Sequence, residues 1–276
     1  MPGADLPGAD LPWEIDTSTP SVARAYDAAL GGKDNFEVDR EAMRELERIA
    51  PGMKPLAREN RAFLMRVCRF LAAHAGVEQF LDCGSGLPTA DNVHQVVQRH
   101  NPDARVVYVD NDPVVLAHGR ALLEENAQTH FAAADIFRPR EVLDNEVVRA
   151  HIDFEQPLAL MQVATMHSYD GPEPERVMGE YVDALPSGSY VAFSQFFDPE
   201  DAEHHDLAKH VESAAREHGV DIGNFRTRAE IEPLLAGLDL LEPGLVFTTD
   251  WWPDGPRMEP RLPAYQLHVG AVGRKP

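Results

Sequence analysis

Positive charge is scarce in this chain. Its 276 residues include 25 lysines and arginines against 46 aspartates and glutamates, which gives a net charge of −21, and only four of the basic residues are lysines. A protein this acidic repels a phosphate backbone, so nucleic acid is not an expected partner. Hydrophobic residues still make up 43% of the chain, so a sizeable core can form and disorder of the whole chain is excluded.

Cysteines and long apolar runs are also few. Cys68 and Cys83 are too few for a disulfide framework or a cysteine-rich zinc site, and such low usage suits a reducing compartment. The apolar runs have the length of strands, so no membrane span is predicted. Met1–Leu11 lacks the basic and apolar regions of a signal peptide. We therefore expect a cytoplasmic protein with no membrane partner.

The chain divides into three predicted regions. The pentapeptide Pro-Gly-Ala-Asp-Leu occurs at 2–6 and again at 7–11, and because this composition offers little apolar surface, residues 1–18 are predicted to be a disordered tail. For residues 19–76 we predict an extension of three helices. The first helix begins at Thr19-Pro20 and ends at Gly31-Gly32. Residues 77–276 alternate between apolar runs of strand length and runs of helical period.

That alternation predicts an α/β, doubly wound domain with a mostly parallel sheet of seven strands. The loop 250–263 has no helical period, which favours an antiparallel pair of strands at the end of the sheet. The predicted strands are residues 79–83, 105–110, 130–133, 158–163, 190–195, 238–248 and 265–272, with Pro243-Gly244 as a candidate interruption of the sixth. The predicted helices are 89–100, 113–126, 139–150, 173–185, 202–218 and 228–236.

The strongest local motif is Phe80–Thr89, an apolar strand that runs into the turn Gly84-Ser85-Gly86 and then into a predicted helix. Glycines at this position let a nucleotide-like ligand approach the backbone, at the sheet edge where α/β proteins bind ligands. An ordinary tight turn between a strand and a helix has the same pattern, so the turn alone leaves the two interpretations about even.

Aspartates at the ends of the next two predicted strands favour a ligand site. Asp110 closes an apolar strand, where a carboxylate can accept hydrogen bonds from ribose hydroxyls. Asp112 directly precedes Pro113 and is the better candidate for capping the following helix. Asp135 could accept a hydrogen bond from the exocyclic amine of a base, with Ile136 packing on its ring, although Asp135 taken alone is more typical of a cap or a turn.

The turn differs from the dinucleotide fingerprint G-x-G-x-x-G/A. Thr89 takes the position of the third glycine, and Asp82 stands two residues before the first one. An acidic rim suits a ligand that has no phosphates and carries a cationic sulfonium and an ammonium. A nicotinamide-dependent oxidoreductase is therefore the weaker alternative, and a cofactor-binding regulatory or catalytically inactive protein is another.

From about Ser21 to the C-terminus, the chain resembles a bacterial family of S-adenosyl methyltransferases long known as a domain of unknown function, within the class I S-adenosylmethionine-dependent methyltransferases. This resemblance implies a Rossmann-like fold, S-adenosylmethionine as the cofactor, and methyl transfer to an acceptor that we expect to be a small molecule. The blocks that carry it are 21–27 (Ser-Val-Ala-Arg-Ala-Tyr-Asp), 30–36 (Leu-Gly-Gly-Lys-Asp-Asn-Phe), 60–64 (Asn-Arg-Ala-Phe-Leu), 80–89 with 92–94 (Asn-Val-His), and 108–113 (Tyr-Val-Asp-Asn-Asp-Pro).

The resemblance also implies a set of cofactor contacts. The helical extension would fold over the cofactor as a lid, although block 30–36 could equally be a helix stop followed by a polar turn. The implied contacts are Asp82, Gly84 and Gly86 to the methionine part, Asp110 to the ribose, Asp135 and Ile136 to the adenine, Tyr26, Lys33 and Arg61 to the carboxylate and amine, and Ser85 and Asn111 from the same two turns.

His167 is the candidate catalytic residue. It follows the fourth predicted strand, near the expected position of the reacting methyl group, and its ordinary pKa suits a base near neutral pH. A hydrogen-bonded structural histidine is the somewhat more common alternative. The Asn-Pro-Pro-Tyr motif used on exocyclic amines of nucleic acids is absent, because Ala164–His167 occupies its place.

Two further clusters allow other interpretations. The histidines within 203–210 could suggest a metal, but they lack a His-Glu-x-x-His pattern, so an exposed polar helix is favoured and no metal is predicted. Trp251 and Trp252 could line an acceptor pocket, although core packing is slightly favoured.

Overall fold

The computed structural model describes residues 16–88, 91–122, 126–220, 222–256 and 261–276. Most of the predicted tail and Thr89 therefore lie outside the described residues. The α-helices are α1 (Val22–Leu30), α2 (Glu37–Ile49), α3 (Met53–Ala73), α4 (Val93–Gln98), α5 (Pro113–Leu122), α6 (Pro139–Leu143), α7 (Glu146–His151), α8 (Pro174–Ala184), α9 (Ala202–Glu217) and α10 (Arg228–Ile231). The strands are β1 (Gln79–Cys83), β2 (Arg105–Asp110), β3 (Thr129–Ala133), β4 (Ala159–Val163), β5 (Tyr190–Phe196), β6 (Asp239–Leu240), β7 (Val246–Phe247) and β8 (His268–Arg274).

The strands form one sheet in the order β3-β2-β1-β4-β5-β8-β6, and β7 also pairs with β8. Strands β1 to β5 are parallel, whereas β8 runs antiparallel to β5, β6 and β7. This arrangement confirms the mostly parallel sheet with an antiparallel end. The interruption of the strand predicted over 238–248 is confirmed: two short strands are separated around Pro243-Gly244, so the described residues form eight strands instead of seven. Proline has no N–H to donate to the ladder, which explains the break.

The helical boundaries follow the predictions with three corrections. The helix predicted over 228–236 is α-helical only over Arg228–Ile231, and a 3-10 helix continues over Glu232–Leu235. Thr19 is not the cap of α1: its hydroxyl donates to Asp16, and the Ser21 hydroxyl accepts the hydrogen bond from the N–H of Arg24. The helix predicted over 139–150 is two helices, α6 and α7, and the Asn145 side chain caps the second. The end of α1 at Gly31 is confirmed, with a positive φ of 82° that glycine adopts without strain.

Helix α3 packs in the core of the domain. Its buried face, with Phe63, Val67 and Leu71, shares one hydrophobic cluster with Phe80 of β1 and Val106 of β2. Helix α8 belongs to a second cluster that includes side chains of the same sheet. A third apolar cluster joins α1, α2, the start of α3 and α9. The N-terminal helices therefore pack into the same body as the sheet. Among the described helices, none combines the length and apolar character that crossing a membrane requires.

Candidate active site

A cavity of about 400 Å³ lies where β1, β2, β4 and β5 end. Strand β1 stands between β2 and β4, which is the point where the strand order reverses and where open α/β sheets bind ligands. Helices α1 to α3 complete the wall, and the volume falls in the range of small-molecule sites, about 300–1,000 Å³. Ten of the twelve predicted site residues line this cavity: Tyr26, Arg61, Asp82, Gly84, Ser85, Gly86, Asp110, Asn111, Ile136 and His167.

The turn after β1 needs glycine for its conformation at Gly84 and Gly86, and for space at Gly84. Gly84 has a φ of 72° and Gly86 a φ of 66°. A Cβ on Gly84 would lie 2.5 Å from Cγ2 of Thr165, in the segment that follows β4. The N–H of Gly84 donates to the carbonyl of Val109 at 2.8 Å, which fixes the turn against β2. The backbone of β1 is thus held close to both neighbouring strands.

Asp110 is tied to this turn. Its Oδ2 accepts the N–H of Gly86 at 2.9 Å, and its Oδ1 accepts the N–H groups of Asn111 at 2.8 Å and Asp112 at 2.9 Å. Burial raises the pKa of Asp110, while these hydrogen bonds act in the opposite direction. The carboxylate faces the cavity, but much of its accepting capacity is already used by the backbone. Asp112 accepts the N–H of Val114 at 2.8 Å, which confirms it as the helix cap.

Asp82 and Arg61 bring opposite charges to the same cavity. Asp82 is 5% exposed, and its carboxylate accepts no hydrogen bond from the described residues. Burial raises the pKa of Asp82 to about 7, the Arg61 charge opposes this rise, and the Asp110 charge adds to it. Arg61 comes from α3, and its Nη2 donates to the carbonyl of Asp91 at 2.9 Å. Its buried Nε has no partner among the described residues.

Lys33 and Asp135 do not line this cavity. Lys33 lies in a second, more open depression with Arg58 and Pro88, which Arg61 also lines. The carboxylate of Asp135 accepts the N–H of Phe137 at 2.9 Å and lies 3.5 Å from the Nε of Arg138. Asp135 therefore closes a turn, while its neighbour Ile136 reaches the cavity.

The block 30–36 forms a turn that is held from α1. Oδ2 of Asp27 accepts the N–H of Asp34 at 3.0 Å and the side-chain amide of Asn35 at 2.7 Å. Gly32 lies so close that a Cβ there would be 1.9 Å from Oδ1 of Asp27. These contacts favour the helix-stop-and-turn interpretation of the block over a direct ligand contact.

A buried hydrogen-bond chain joins the N-terminal helices to the sheet. The hydroxyl of Ser194 on β5 donates to Oδ1 of Asn60 at 2.7 Å, and Nδ2 of Asn60 donates to the Tyr26 hydroxyl at 3.1 Å. The Tyr26 hydroxyl in turn donates to the carbonyl of Ala57 at 3.1 Å. Asn60 belongs to the family block 60–64, and the resemblance implies no role for it. An asparagine on the apolar face of a predicted helix was the available signal, because a buried amide needs partners.

His167 and His268 both face the cavity and both are buried. Their ring centroids are 6.4 Å apart, and Phe196 lies within 4.6 Å of the first ring and 5.3 Å of the second. Neither Nδ1 has a hydrogen-bond partner among the described residues. Burial lowers the pKa of His167 well below its usual range and that of His268 to about 3, so both rings are neutral at pH 7. His268 was missed because the sequence placed it inside an apolar strand.

The other two clusters lie outside the cavity. Trp251 is fully buried against Phe63 and Phe70, so core packing is confirmed for it, whereas Trp252 stacks on Trp251 and is 46% exposed, so core packing is wrong there. On α9, His204 contacts Asp201 at 2.8 Å and His205 contacts Asp198 at 2.7 Å. In the described part of the chain, no group of three or more His, Cys, Asp and Glu residues has the geometry of a metal site.

The unpaired polar groups of the cavity fit an amino-acid moiety. A buried carboxylate without a hydrogen bond suits an ammonium group, and the buried Nε of Arg61, which has no partner among the described residues, suits a carboxylate. Ser85 adds a buried hydroxyl without a partner among the described residues. S-Adenosylmethionine carries both charged groups on one carbon, so the residues present are compatible with it.

The sheet order, the glycine turn after β1 and the acid that closes β2 together define a class I methyltransferase. The N-methyltransferase NodS of Bradyrhizobium japonicum in complex with S-adenosyl-L-homocysteine has this fold, with a TM-score of 0.50 at 14% identity over 92% of this chain and 99% of that one. The S-adenosyl methyltransferase family model matches residues 9–276, so the chain belongs to this family. It is a methyltransferase that uses S-adenosylmethionine as its cofactor.

Two similar solved structures agree with this membership. A candidate methyltransferase from Thermobifida fusca is 46% identical, with a TM-score of 0.87 over 94% of this chain and 96% of that one. A DUF574 family protein from Streptomyces avermitilis is 36% identical, with a TM-score of 0.88 over 95% of this chain and 100% of that one. No curated protein matches the chain significantly.

Proposed function

We propose that the chain transfers a methyl group from S-adenosylmethionine to a small-molecule acceptor inside this cavity. The observation that carries the proposal is the placement of Asp82 and Arg61 in one cavity that continues between α1, α2 and α3. The charged side chains suit the cofactor, and the cavity extends beyond them among the three helices. An acceptor that shares a cavity of this size with the cofactor must itself be small.

The residues at β1 and β2 would hold the cofactor. In this proposal Asp82 faces the ammonium group, Arg61 the carboxylate, and the one free lone pair on Oδ2 of Asp110 a ribose hydroxyl. Ile136 packs against the adenine. Lys33 and Asp135 are left out of the contact set, because neither lines the cavity.

The cofactor supplies a methyl group on a cationic sulfur, which is already an activated leaving group. An acceptor atom with a lone pair forms the new bond to the methyl carbon, and the sulfur keeps the electron pair of the bond that breaks. The protein therefore contributes chiefly position and the exclusion of water. A proton on the acceptor atom leaves to water once the methyl group has been transferred, because a neutral His167 would have to carry a buried positive charge to take it. We assign His167 the role of a hydrogen-bonding group that orients the acceptor.

The charge of the chain disfavours a nucleic-acid acceptor. A net charge of −21 gives no general attraction for phosphates. The charged side chains that line the cavity, among the described residues, are three aspartates and one arginine, Asp82, Asp110, Asp112 and Arg61. This balance supports a small molecule over a polyanion.

Calorimetry tests the cofactor part of the proposal. S-Adenosylhomocysteine should bind the purified chain with micromolar or tighter affinity, and NADH should not bind. Binding of NADH without a response to S-adenosylhomocysteine would contradict the proposal. A methyl-release assay over a panel of small metabolites, run beside duplex DNA and RNA, then tests the acceptor class. Release with nucleic acid alone would refute the small-molecule assignment, and release with neither would favour the regulatory or inactive alternative.

A further inference from the structure

The part of the cavity wall whose composition differs most from that of the cofactor residues is apolar. Its wall includes Ala25, Met43, Leu46, Leu56, Phe196 and Ile222, here called the apolar half. Five of these belong to the third hydrophobic cluster, and Phe196 packs against it. None of the residues that we assign to the cofactor belongs to that cluster. The cavity therefore has two regions of different chemistry.

Charge is confined to the cofactor region. Asp82, Asp110 and Asp112 follow or end β1 and β2, and Arg61 lies on α3 beyond Leu56. Among the described residues, no charged side chain lines the apolar half. An ion placed there would lose its hydration without gaining a partner, which disfavours its binding. An uncharged molecule suffers no such cost.

Two imidazoles bring polar atoms without partners to the apolar half, whereas Tyr26 and Asn60, which also line the cavity, are hydrogen-bonded to each other. The rings of His167 and His268 flank Phe196, and each has an Nδ1 without a partner among the described residues. Buried nitrogens of this kind are normally hydrogen-bonded. A single hydroxyl or carbonyl group on a ligand in the apolar half can supply the missing partner.

We propose that the methyl acceptor is an uncharged, mainly apolar small molecule whose hydroxyl or carbonyl group faces His167 and His268. The body of the molecule lies among Met43, Leu46 and Leu56, and its polar end points toward the region where the cofactor binds. This inference rests on the proposed function, since it assigns the second half of the same cavity. It also restricts that function, because carboxylated and phosphorylated acceptors are excluded.

A matched pair of probes tests the charge preference. Calorimetry on the chain saturated with S-adenosylhomocysteine compares 2-naphthol with 2-naphthoate at pH 7, since both have the same ring system and only the second is charged. We expect 2-naphthol to bind at least tenfold more tightly. Equal or tighter binding of 2-naphthoate overturns the inference, as does the absence of binding by either probe. Failure of S-adenosylhomocysteine itself to bind contradicts the proposed function instead, so the two failures are distinguishable.

Two variants locate the probe. Met43→Glu places a charge in the apolar half and should weaken 2-naphthol binding at least tenfold, with the affinity for S-adenosylhomocysteine within twofold of the unmodified chain. Leu240→Gln, at an exposed position on β6, is the control and should change neither. If circular dichroism shows that Met43→Glu does not fold, Ala29→Leu, which fills the same wall, should produce the same loss. Unchanged 2-naphthol binding in the folded variant overturns the inference.

The role of the imidazoles has its own readout. His268→Phe should weaken 2-naphthol binding about tenfold and leave 2-methylnaphthalene, which has no hydroxyl, unaffected. Equal losses for the two probes would show that His268 contributes only shape, and would overturn the assignment of the polar end.

Discussion

Ser194 on β5 donates a hydrogen bond of 2.7 Å to the side-chain oxygen of Asn60 on α3, across 134 residues of sequence. Both side chains are buried, and Asn60 passes the contact on to Tyr26 of α1. This pair therefore connects the N-terminal helices to the sheet at the edge of the cavity. Its removal should affect both the stability of the fold and the shape of the site.

Asn60→Leu should be strongly destabilising. It removes two buried hydrogen bonds and leaves the Ser194 hydroxyl without its acceptor, which costs about 1–3 kcal/mol. Ser194→Ala should cost less than Asn60→Leu, because the asparagine keeps its bond to Tyr26, but it still leaves the buried Oδ1 of Asn60 without a donor. Urea unfolding measures both, with Ser213→Ala on the exposed face of α9 as the control. If Asn60→Leu is as stable as that control, the chain of hydrogen bonds contributes nothing to the free energy of unfolding.

Asp110→Ala should weaken the binding of S-adenosylhomocysteine by tenfold to a hundredfold. Hydrogen bonds to a charged group contribute about 1.5–3 kcal/mol, and about 1.4 kcal/mol corresponds to a factor of ten. The variant should also melt at a lower temperature, since the N–H groups of Gly86, Asn111 and Asp112 lose their acceptor. Asp110→Asn should have an intermediate affinity and melting temperature, because its one amide oxygen can replace only one of the two accepting oxygens of the carboxylate. Calorimetry that finds unmodified affinity in Asp110→Ala contradicts the assignment of the ribose contact.

Asp112→Ala should chiefly lower stability. The carboxylate caps α5 through the N–H of Val114, and loss of such a cap costs about 1 kcal/mol. The affinity for S-adenosylhomocysteine should change less than in Asp110→Ala, although Asp112 also lines the cavity. Thermal unfolding and calorimetry on the two variants separate the roles. If Asp112→Ala loses affinity and Asp110→Ala loses only stability, the two roles are reversed.

Asp82 should make the free protein less stable as the pH rises. Its pKa of about 7 in the folded chain lies above the ordinary aspartate value near 3.9, so between about pH 4 and 7 the folded state holds a proton that the unfolded chain has released. Raising the pH through that window therefore lowers the free energy of unfolding, and the full cost is present above pH 7. Asp82→Asn should raise the melting temperature at pH 8 and leave it nearly unchanged at pH 4.

The same residue should make cofactor binding pH-dependent. An ammonium group beside Asp82 favours the ionised carboxylate, so S-adenosylhomocysteine should bind more weakly below pH 7 and release protons as it binds. Calorimetry in two buffers of different ionisation enthalpy measures this release. Asp82→Asn should lose both the affinity and the proton release, whereas Asp103→Asn, at an exposed loop position, should keep both. Binding of S-adenosylhomocysteine without proton release at pH 6 would place the ammonium elsewhere.

Local patterns were enough to predict the framework of the fold. The apolar runs that became β1 to β5 and the glycine turn after β1 depend on residues that are adjacent in the chain, and so does the cap at Asp112. Apolar residues that recur every two or every 3.6 positions indicate which face of a strand or helix is buried, and Gly84 and Gly86 indicate where the backbone needs a positive φ. Asp110 at the end of β2 was predicted from the same kind of local pattern.

The tertiary structure alone decided which of the candidates meet in one cavity. Asp135 closes its own turn through Phe137, and Lys33 lies in a turn held by Asp27. Asn60 and His268, in contrast, line the cavity from positions that the hydrophobic periodicity assigned to the core. Periodicity specifies burial but not the identity of a distant neighbour, and the contact between Asn60 and Ser194 requires α3 to be packed on the completed sheet. The sequence thus determined the sheet, its glycine turn and the acids at its edge. Long-range packing decided which polar groups are left without partners and face the ligand.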